Sequence, residues 1–265
     1  MALLVRTWNV FHGNAKPPER RTFLEEMVRL ATADGPDVLC LQEVPVWALR
    51  RLARWSGMQV FRAVASRPKL GSAELGGAIT AIHRGLLRSA FTGQANAILL
   101  GPSLRELARG SIVLNPFRFR RTVAAKLALD FQARLDWARE RRVCQAVRAA
   151  ADERSLAVAN MHISSVRDPR VRDAELRRAA AFACGLAEPG DVLVLAGDLN
   201  VRLGQSEALE ELAGPDWGFS AAIPGLDQVL VRGANAGRPE LWPEERRRVG
   251  GRLLSDHAPV EVRIE

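Results

Sequence analysis

Six places along the 265-residue chain carry side chains for which a packed core has little use. Asn9, Glu43, the pair Asn160 and His162, the pair Asp198 and Asn200, and the pair Asp256 and His257 each close an apolar run, and Asp227 interrupts another. The clearest is DVLVLAGDLNVR, residues 191–202. Val192 to Ala196 is continuously apolar, the pattern of a strand buried on both faces. Gly197 permits a tight turn after it. Asp198 and Asn200 lie two apart, so both side chains leave one face for as long as the chain stays extended. An acceptor-only carboxylate beside an amide, at the exposed end of a buried strand, suits a metal ion, a phosphate or an activated water.

The combined set narrows the chemistry. Glu43 and Asp256 are hard oxygen donors and Asn9 adds a neutral one, which together suit Mg²⁺ or Mn²⁺ sharing a site with a phosphate. Zinc fits poorly, because no thiolate lies nearby and the histidines are spread one to a strand. An ion on a phosphoryl oxygen polarises it and offsets developing charge. His162 and His257 can donate to the other oxygens or move protons near neutral pH. Asp227 can hold one ring nitrogen of His257 and fix its tautomer. Each residue alone also has a structural reading: a turn for Asn9, a solvated strand end for Glu43, a satisfied core histidine for His162, a cap before Pro259 for Asp256. Chance would have to decorate every strand end in this way. Asn160, His12, Asn96 and Arg248 are further candidates for substrate contact, although His12 equally fits a loop histidine beside Asn9.

The elements that must position these groups follow from periodicity. Residues 3–11, 37–44, 58–66, 77–84, 93–101, 111–116, 143–149, 155–163, 225–233 and 253–265 read as strands besides 192–196, with 67–77 a loop. Helices are expected over 19–32, 46–55 with Gly57 as its C-cap, 122–139 on the Leu127/Phe131/Leu135 stripe, 173–186, and 206–213 with Ser206 as cap. Runs of strands with interspersed helices and no repeat or linker predict one α/β domain over residues 1–265, two packed sheets with helices outside.

Composition is that of an ordinary globular protein, 48% hydrophobic and 26% charged. No stretch reaches the roughly 20 apolar residues of a membrane span. Three scattered cysteines and an N-terminus too soon interrupted for a secretory core predict a reduced, cytoplasmic protein. The net charge of +8 draws polyanions, and Arg-rich segments at 118–121, 139–142 and 246–248 offer places for phosphates. Only three of the 38 basic residues are lysine, however, and tyrosine is absent, so arginine-rich composition accounts for the charge equally well.

The six motifs taken in order are similar to those of the metal-dependent endonuclease/exonuclease/phosphatase superfamily, the DNase I-like phosphoesterases. They are TWNVFHG (7–13), LQEV (41–44), NMHIS (160–164), GDLN (197–200), LDQVL (226–230) and SDHAPV (255–260). The resemblance implies a four-layer α/β/β/α sandwich of two mixed sheets. It implies Glu43 as principal metal ligand with Asn9 and Asp256 near it, Asp198 orienting or deprotonating the attacking water, and Asn200 holding that water or the phosphate. His162 and His257 would contact the scissile phosphate, with Asp227 paired to His257. The chain departs from the abasic-endonuclease branch in lacking its phosphate-site tyrosine and the lysine after the glutamate. His162 resembles the DNase I and sphingomyelinase side, and Gln228 stands where an aromatic residue is common. The expected activity is metal-dependent phosphodiester hydrolysis on DNA or RNA, by a monomer. Hydrolysis of a small or lipid-linked phosphate ester is the alternative, and a non-catalytic nucleic-acid-binding module is the third reading.

Overall fold

The computed structural model describes residues 2–19, 21–68, 92–151 and 154–265. In chain order the elements are β1 (Leu3–Asn9), β2 (Ala15–Lys16), α1 (Leu24–Thr32), β3 (Val38–Val44), α2 (Leu52–Ser56), β4 (Gln59–Ser66), β5 (Gln94–Leu100) and β6 (Arg105–Val113). There follow α3 (Phe117–Lys126), α4 (Phe131–Arg139), β7 (Val143–Ala151), β8 (Arg154–His162), α5 (Pro169–Leu186), β9 (Val192–Asp198) and α6 (Glu207–Ala213). The chain closes with β10 (Asp227–Arg232), β11 (Glu240–Leu241), β12 (Arg248–Val249), β13 (Arg252–Leu254) and β14 (Val260–Ile264).

One sheet runs β11-β14-β1-β3-β5-β4 and the other β10-β9-β8-β7-β6, with a small third sheet β12-β13-β2. Both large sheets are mixed, because β1 pairs parallel with β3 and β8 parallel with β9 among otherwise antiparallel neighbours. The period-2 alternation of side chains decides the layers. Val5, Cys40, Ile98, Val158, Val194 and Val229 face inward and lock the two sheets together. Leu39, Leu41, Ala97 and Leu99 face outward onto Leu24, Met27, Val28 and Ala31 of α1. Ala157, Ala159, Leu193 and Leu195 do the same against Leu176, Ala179 and Ala183 of α5 and Leu209 of α6. The result is the expected four-layer α/β/β/α sandwich.

Several element boundaries differ from the sequence reading for identifiable reasons. The helix expected over 122–139 is two helices. Ala128 adopts a left-handed φ of +50°, and Asp130 caps α4 by accepting from Ala133 N at 2.7 Å. Phe131 of the supposed apolar stripe is 78% exposed in consequence. Helix α5 starts earlier than expected, with Asp168 as cap and Pro169 in its first turn. The region expected as helix 46–55 is a 3-10 turn, Val46–Arg50, followed by α2, and Gly57 closes it at φ +71° as foreseen. The last expected strand divides into β13 and β14, which belong to different sheets and leave Ser255 to Pro259 as a loop. The strand expected at 77–84 lies outside the described residues.

Gly197 has a different reason from the tight turn read in the sequence. A Cβ there would lie 1.9 Å from Met161 O on the neighbouring strand, at φ +141°. Only glycine lets β8 and β9 approach closely enough to bring His162 level with Asp198.

Candidate active site

At one end of the sandwich the inward-facing positions turn polar. Asn9 ends β1, Asn160 and His162 end β8, Asp198 ends β9 and Asp227 begins β10, and all are nearly or fully buried. Glu43 reaches the same place by an irregularity. The register of β3 against β5 shifts between Leu41 and Val44, so both of these residues pack on the helix layer. Glu43 between them takes a left-handed φ of +56°. Strain of this kind is concentrated here. Among the described residues six non-glycines have positive φ, and five of them, Phe11, His12, Glu43, Asn200 and Ser255, belong to this end of the molecule. Held against sterics by surrounding bonds, such residues are typical of functional sites.

Asp198 is the hub. Its Oδ2 accepts from Asn9 Nδ2 at 3.0 Å and its Oδ1 from Asn200 N at 3.0 Å. His162 Nε2 lies 3.4 Å and His257 Nε2 3.9 Å from Oδ2. Burial pushes the Asp198 carboxyl above the ordinary range, opposed by the charge of His257 and the Asn9 bond. Glu43 faces the same space, with Oε1 3.9 Å from His162 Nε2 and Oε2 3.4 Å from His12 Nε2. Burial lifts Glu43 to about 7, with Arg142 opposing and Asp198 adding to the rise.

The two histidines are opposite in kind. His162 Nδ1 lies 3.0 Å from both Arg142 Nη1 and Gln94 Nε2. A guanidinium can only donate, so Nδ1 carries a lone pair and the proton sits on Nε2, aimed at Asp198 and Glu43. Burial and the Arg142 charge hold this ring well below its usual pKa, so it is a neutral hydrogen-bond donor. Of the two roles read for it in the sequence, this setting favours donation to an oxygen over moving protons. For His257, burial disfavours the charge. The 2.7 Å bond from Nδ1 to Asp227 Oδ2 and the nearby carboxylates outweigh it, lifting the ring to about 10. The Asp227 partner therefore favours the protonated ring. Asp227 itself rises to about 6, chiefly through burial, and its Oδ1 has no hydrogen-bond partner among the described residues.

Other expected residues are placed differently. Asn200 is left-handed at φ +49°, so it shares no extended face with Asp198, and its Nδ2 donates to Ile163 O at 2.9 Å. Asn160 is a strut between the sheets, donating to Leu41 O and Ala97 O and accepting from Gln42 Nε2 at 2.7 Å. Asn96 likewise donates across to Val143 O at 3.1 Å. Asp256 is exposed on the loop beside His257, and its charge acts on His257 and Asp227. Arg248 points to Glu244 at 2.9 Å, away from the other residues.

Beside Glu43 a cleft of about 610 Å³ opens, lined by His12, Gln94, Ser66, Arg67, Arg139, Arg141 and Arg142 among others. The Arg-rich segment 139–142 therefore reaches the site. The segment 246–248 does not: Arg246 pairs with Asp34 and Glu261, and Arg247 is buried. Arg247 nonetheless has a task that sequence reading missed, donating to Ser255 O and His257 O, while Trp8 Nε1 also donates to His257 O at 3.0 Å. Ser255 Oγ bridges Asn9 O and His257 N, tying two motif ends together. Arg142 and Gln94 were equally hidden, because nothing local marks a strand-edge arginine or glutamine as the partner of a histidine 20 or 68 positions away.

Two buried carboxylates, Asp198 and Asp227, and the half-buried Glu43, all with elevated proton affinity, meet around this space, and Asp227 Oδ1 has no hydrogen-bond partner among the described residues. An oxygen-rich, over-acidic pocket of this sort fits a hard divalent cation. Asp198, Asp227 and His257 also bring ligand atoms within 4.8 Å of one another, but the His257 Nδ1 bond to Asp227 already occupies that pair.

The family model for the endonuclease/exonuclease/phosphatase family matches residues 7–257. The chain belongs to that family. Its fold is that of the family's solved structures. A humanized TDP2 of D. rerio shares 16% identity at a TM-score of 0.65, covering 100% of this chain and 99% of that one. A D. rerio TDP2 complexed with a single-strand DNA product shares 14% at 0.66, covering 100% and 99%. An endonuclease/exonuclease/phosphatase protein of Beutenbergia cavernae shares 15% at 0.66, covering 100% and 71%. A search of curated proteins finds no match. Family and fold together make the chain a hydrolase of the phosphoesterase and nuclease type. Among the described residues no helix is long and apolar enough to cross a membrane.

Proposed function

We propose that this chain, read as one domain over residues 1–265, is a divalent-metal-dependent phosphodiesterase that cleaves DNA or RNA by in-line attack of water. The observation that carries the reading is the setting of Asp198, a buried carboxylate between a neutral histidine donor and a histidinium. Glu43 is the principal residue to hold Mg²⁺ or Mn²⁺, with the Asn9 amide and Asp256 near it. The ion, when bound, supplies Lewis-acid polarisation of a phosphoryl oxygen.

The chain's own residues do the rest. Asp198 accepts a proton from the attacking water, and its elevated pKa makes it a better base than a surface aspartate. Asn9 and the Asn200 backbone N–H hold that carboxylate in one orientation. His162 donates a hydrogen bond from Nε2–H to a phosphate oxygen and keeps its proton, so the ring stays neutral. As the P–O bond opposite the attacking water breaks, the positively charged His257 stabilises the departing oxygen, with Asp227 keeping the ring protonated and oriented. Positioning and charge carry most of the acceleration, as phosphoryl transfer generally requires.

Nucleic acid is favoured as substrate by the arginines that line the cleft, and by the DNA-bound state of a TDP2 of the same fold. A small phosphate ester is the second reading, favoured by a cleft volume of about 610 Å³, which lies in the range of small-ligand sites. The test sets a phosphodiester, a phosphomonoester and single-stranded DNA side by side with Mg²⁺, Mn²⁺ or EDTA, and Asp198→Ala as control. Metal-dependent cleavage of DNA and the diester, lost in the variant, is the expected result. Monoester turnover with DNA untouched would transfer the protein to the phosphatase side. No turnover of any of the three would support the binding-module reading.

A further inference from the structure

The edge strands of the two large sheets, β4 and β6, leave a slot between them on one flank of the sandwich. A cleft of about 520 Å³ occupies it, and its lining includes Phe61, Arg62, Arg109, Ser111 and Gln145. In the pairing of β6 with β7, Arg109 stands opposite Val147 and Ser111 opposite Gln145. Opposed side chains share a face, and Val147 packs between the sheets, so all four point inward. Arg109 and Ser111 are nonetheless exposed, because the facing sheet ends at β4.

Gln145 is 4% exposed, and its Nε2 has no hydrogen-bond partner among the described residues. A buried amide donor left unpaired is costly and uncommon. The groups around it are donors as well. The Arg109 guanidinium lies over the Phe61 ring, 5.6 Å from its centroid, which carries the charge across the slot. Its acidic neighbour Glu106, at 3.4 Å, belongs to its own strand, and among the described residues no carboxylate lines the cleft. Donors that converge without a carboxylate suit an anion, and guanidinium groups suit a phosphate.

This cleft and the one beside Glu43 lie along the same flank. On β4, Ala65 lines the first and Arg62 the second; on the facing sheet, Arg142 lines the first and Gln145 the second. Three residues of extended chain, about 10 Å, separate each pair. Between the clefts Arg141 Nη1 donates to Val64 O at 3.3 Å and Ala65 O at 2.8 Å, which lays a further guanidinium against the β4 edge. A nucleic-acid strand rising about 3.4 Å per nucleotide crosses that gap in about three nucleotides.

Resting on the nucleic-acid reading above, we propose that the second cleft is a phosphate subsite for the same strand. A single strand bound at the active site runs past Arg141 along the flank. One of its backbone phosphates, a few nucleotides from the scissile bond, takes the Gln145 amide and the Arg62 and Arg109 guanidinium groups.

The test is binding of labelled single-stranded DNA to the whole chain by fluorescence anisotropy, in EDTA so that the strand stays intact. A strand of about eight nucleotides is compared with a dinucleotide, which is too short to reach the slot. Wild type is expected to prefer the longer strand. In Arg62→Gln/Arg109→Gln that preference falls about tenfold, and the salt slope for the longer strand drops by about two. Gln145→Leu separates binding from folding. Exchanging an unpaired buried donor for an apolar residue of similar size leaves the thermal midpoint equal or higher, while the preference falls about threefold or more. Equal losses for both lengths, or variants indistinguishable from wild type, overturn the subsite and leave the function reading standing. Inorganic phosphate, titrated by calorimetry, tests the other source of the same chemistry. Phosphate binding that the double variant abolishes, with the longer strand unaffected, assigns the slot to a free anion and overturns the path of the strand. A wild type that binds neither length, and with Mg²⁺ hydrolyses a phosphomonoester but not DNA, overturns the nucleic-acid reading as well.

Discussion

The space between the two sheets has two ends built on one alternation of side chains, and they behave oppositely. At one end Cys40, Ile98, Val158 and Val229 interlock as a dry core. Two residues along the same strands, on the same face, stand Gln42, Asn96, Asn160 and Asp227. The apolar end gains free energy by leaving water, roughly 1.5–3 kcal/mol for each fully buried large aliphatic side chain. The polar end spends some of it. Its carboxylates are desolvated, with Glu43 lifted to about 7 and Asp227 to about 6. Five left-handed non-glycine residues are strained there as well. A close-packed apolar half thus anchors a half whose carboxylates and backbone are held in costly states, as expected of a functional site.

The sharpest way to break that division is Asp198→Ala. Diester turnover is expected to fall about 10²- to 10⁴-fold, while the thermal midpoint stays close to that of wild type. Near-normal turnover would remove Asp198 from the reaction. Ile98→Ala is the reciprocal change at the dry end. It should cost about 2–5 kcal/mol of stability in a denaturant titration, with turnover per folded molecule preserved. Loss of turnover at intact stability would mean that the two ends are not independent.

Arg142→Gln acts within the polar end. Burial first and the guanidinium second depress His162, so removing the cation raises the imidazole pKa, which a histidine NMR titration reads directly. Turnover should drop about tenfold or more as the ring loses its fixed orientation. An unchanged titration would contradict the donor assignment. The arginines give a milder contrast. Arg141→Gln at the cleft, whose guanidinium meets only the Val64 and Ala65 carbonyls among the described residues, should lower the salt slope of single-stranded DNA binding by about one, whereas Arg246→Gln, whose charge is spent on Asp34 and Glu261, should leave it unaltered. Equal slopes for the two variants would erase the distinction.

The smallest effect is expected at Asp34, far from the reactive end. Its bond from Arg6 holds the carboxyl at about 2, below the ordinary 3.8. A carboxylate depressed on folding stabilises the protein fully above about pH 4, and that contribution fades as pH falls towards 2. Asp34→Asn should therefore be modestly less stable near neutrality, by an amount solvent screening keeps small. Acid titrations of the two proteins should converge below about pH 2; a gap that persists there would exclude the ionised carboxylate as its source.

The sequence was most informative where local pattern and chemistry coincide. Apolar runs located most of the strands, and the Asp227–His257 pair was readable because a carboxylate in an apolar strand needs a partner. It was least informative where the partner comes from elsewhere in the chain. Asn160 looked like a substrate contact and proved to be a strut, since nothing around it reveals Leu41 O and Ala97 O opposite. Arg142 and Arg246 look alike in sequence, yet one faces His162 and the other two carboxylates. The stripe of Leu127, Phe131 and Leu135 implied one helix, but Ala128 and the Asp130 cap divided it.

By itself, then, the sequence indicated most of the element types through alternation, the layers through the family resemblance of its motifs, and the candidate residues Asn9, Glu43, His162, Asp198, Asp227 and His257, which the fold gathers at one end. Tertiary structure alone decided the charge state and orientation of those groups. Burial together with Arg142 behind it disfavours the charged form of His162, whereas Asp227 behind His257 and the carboxylates near it favour the charged form there. Proton affinity depends on burial and on charges a few ångströms away, and those are set by where distant strands end, not by what precedes or follows a residue in the chain.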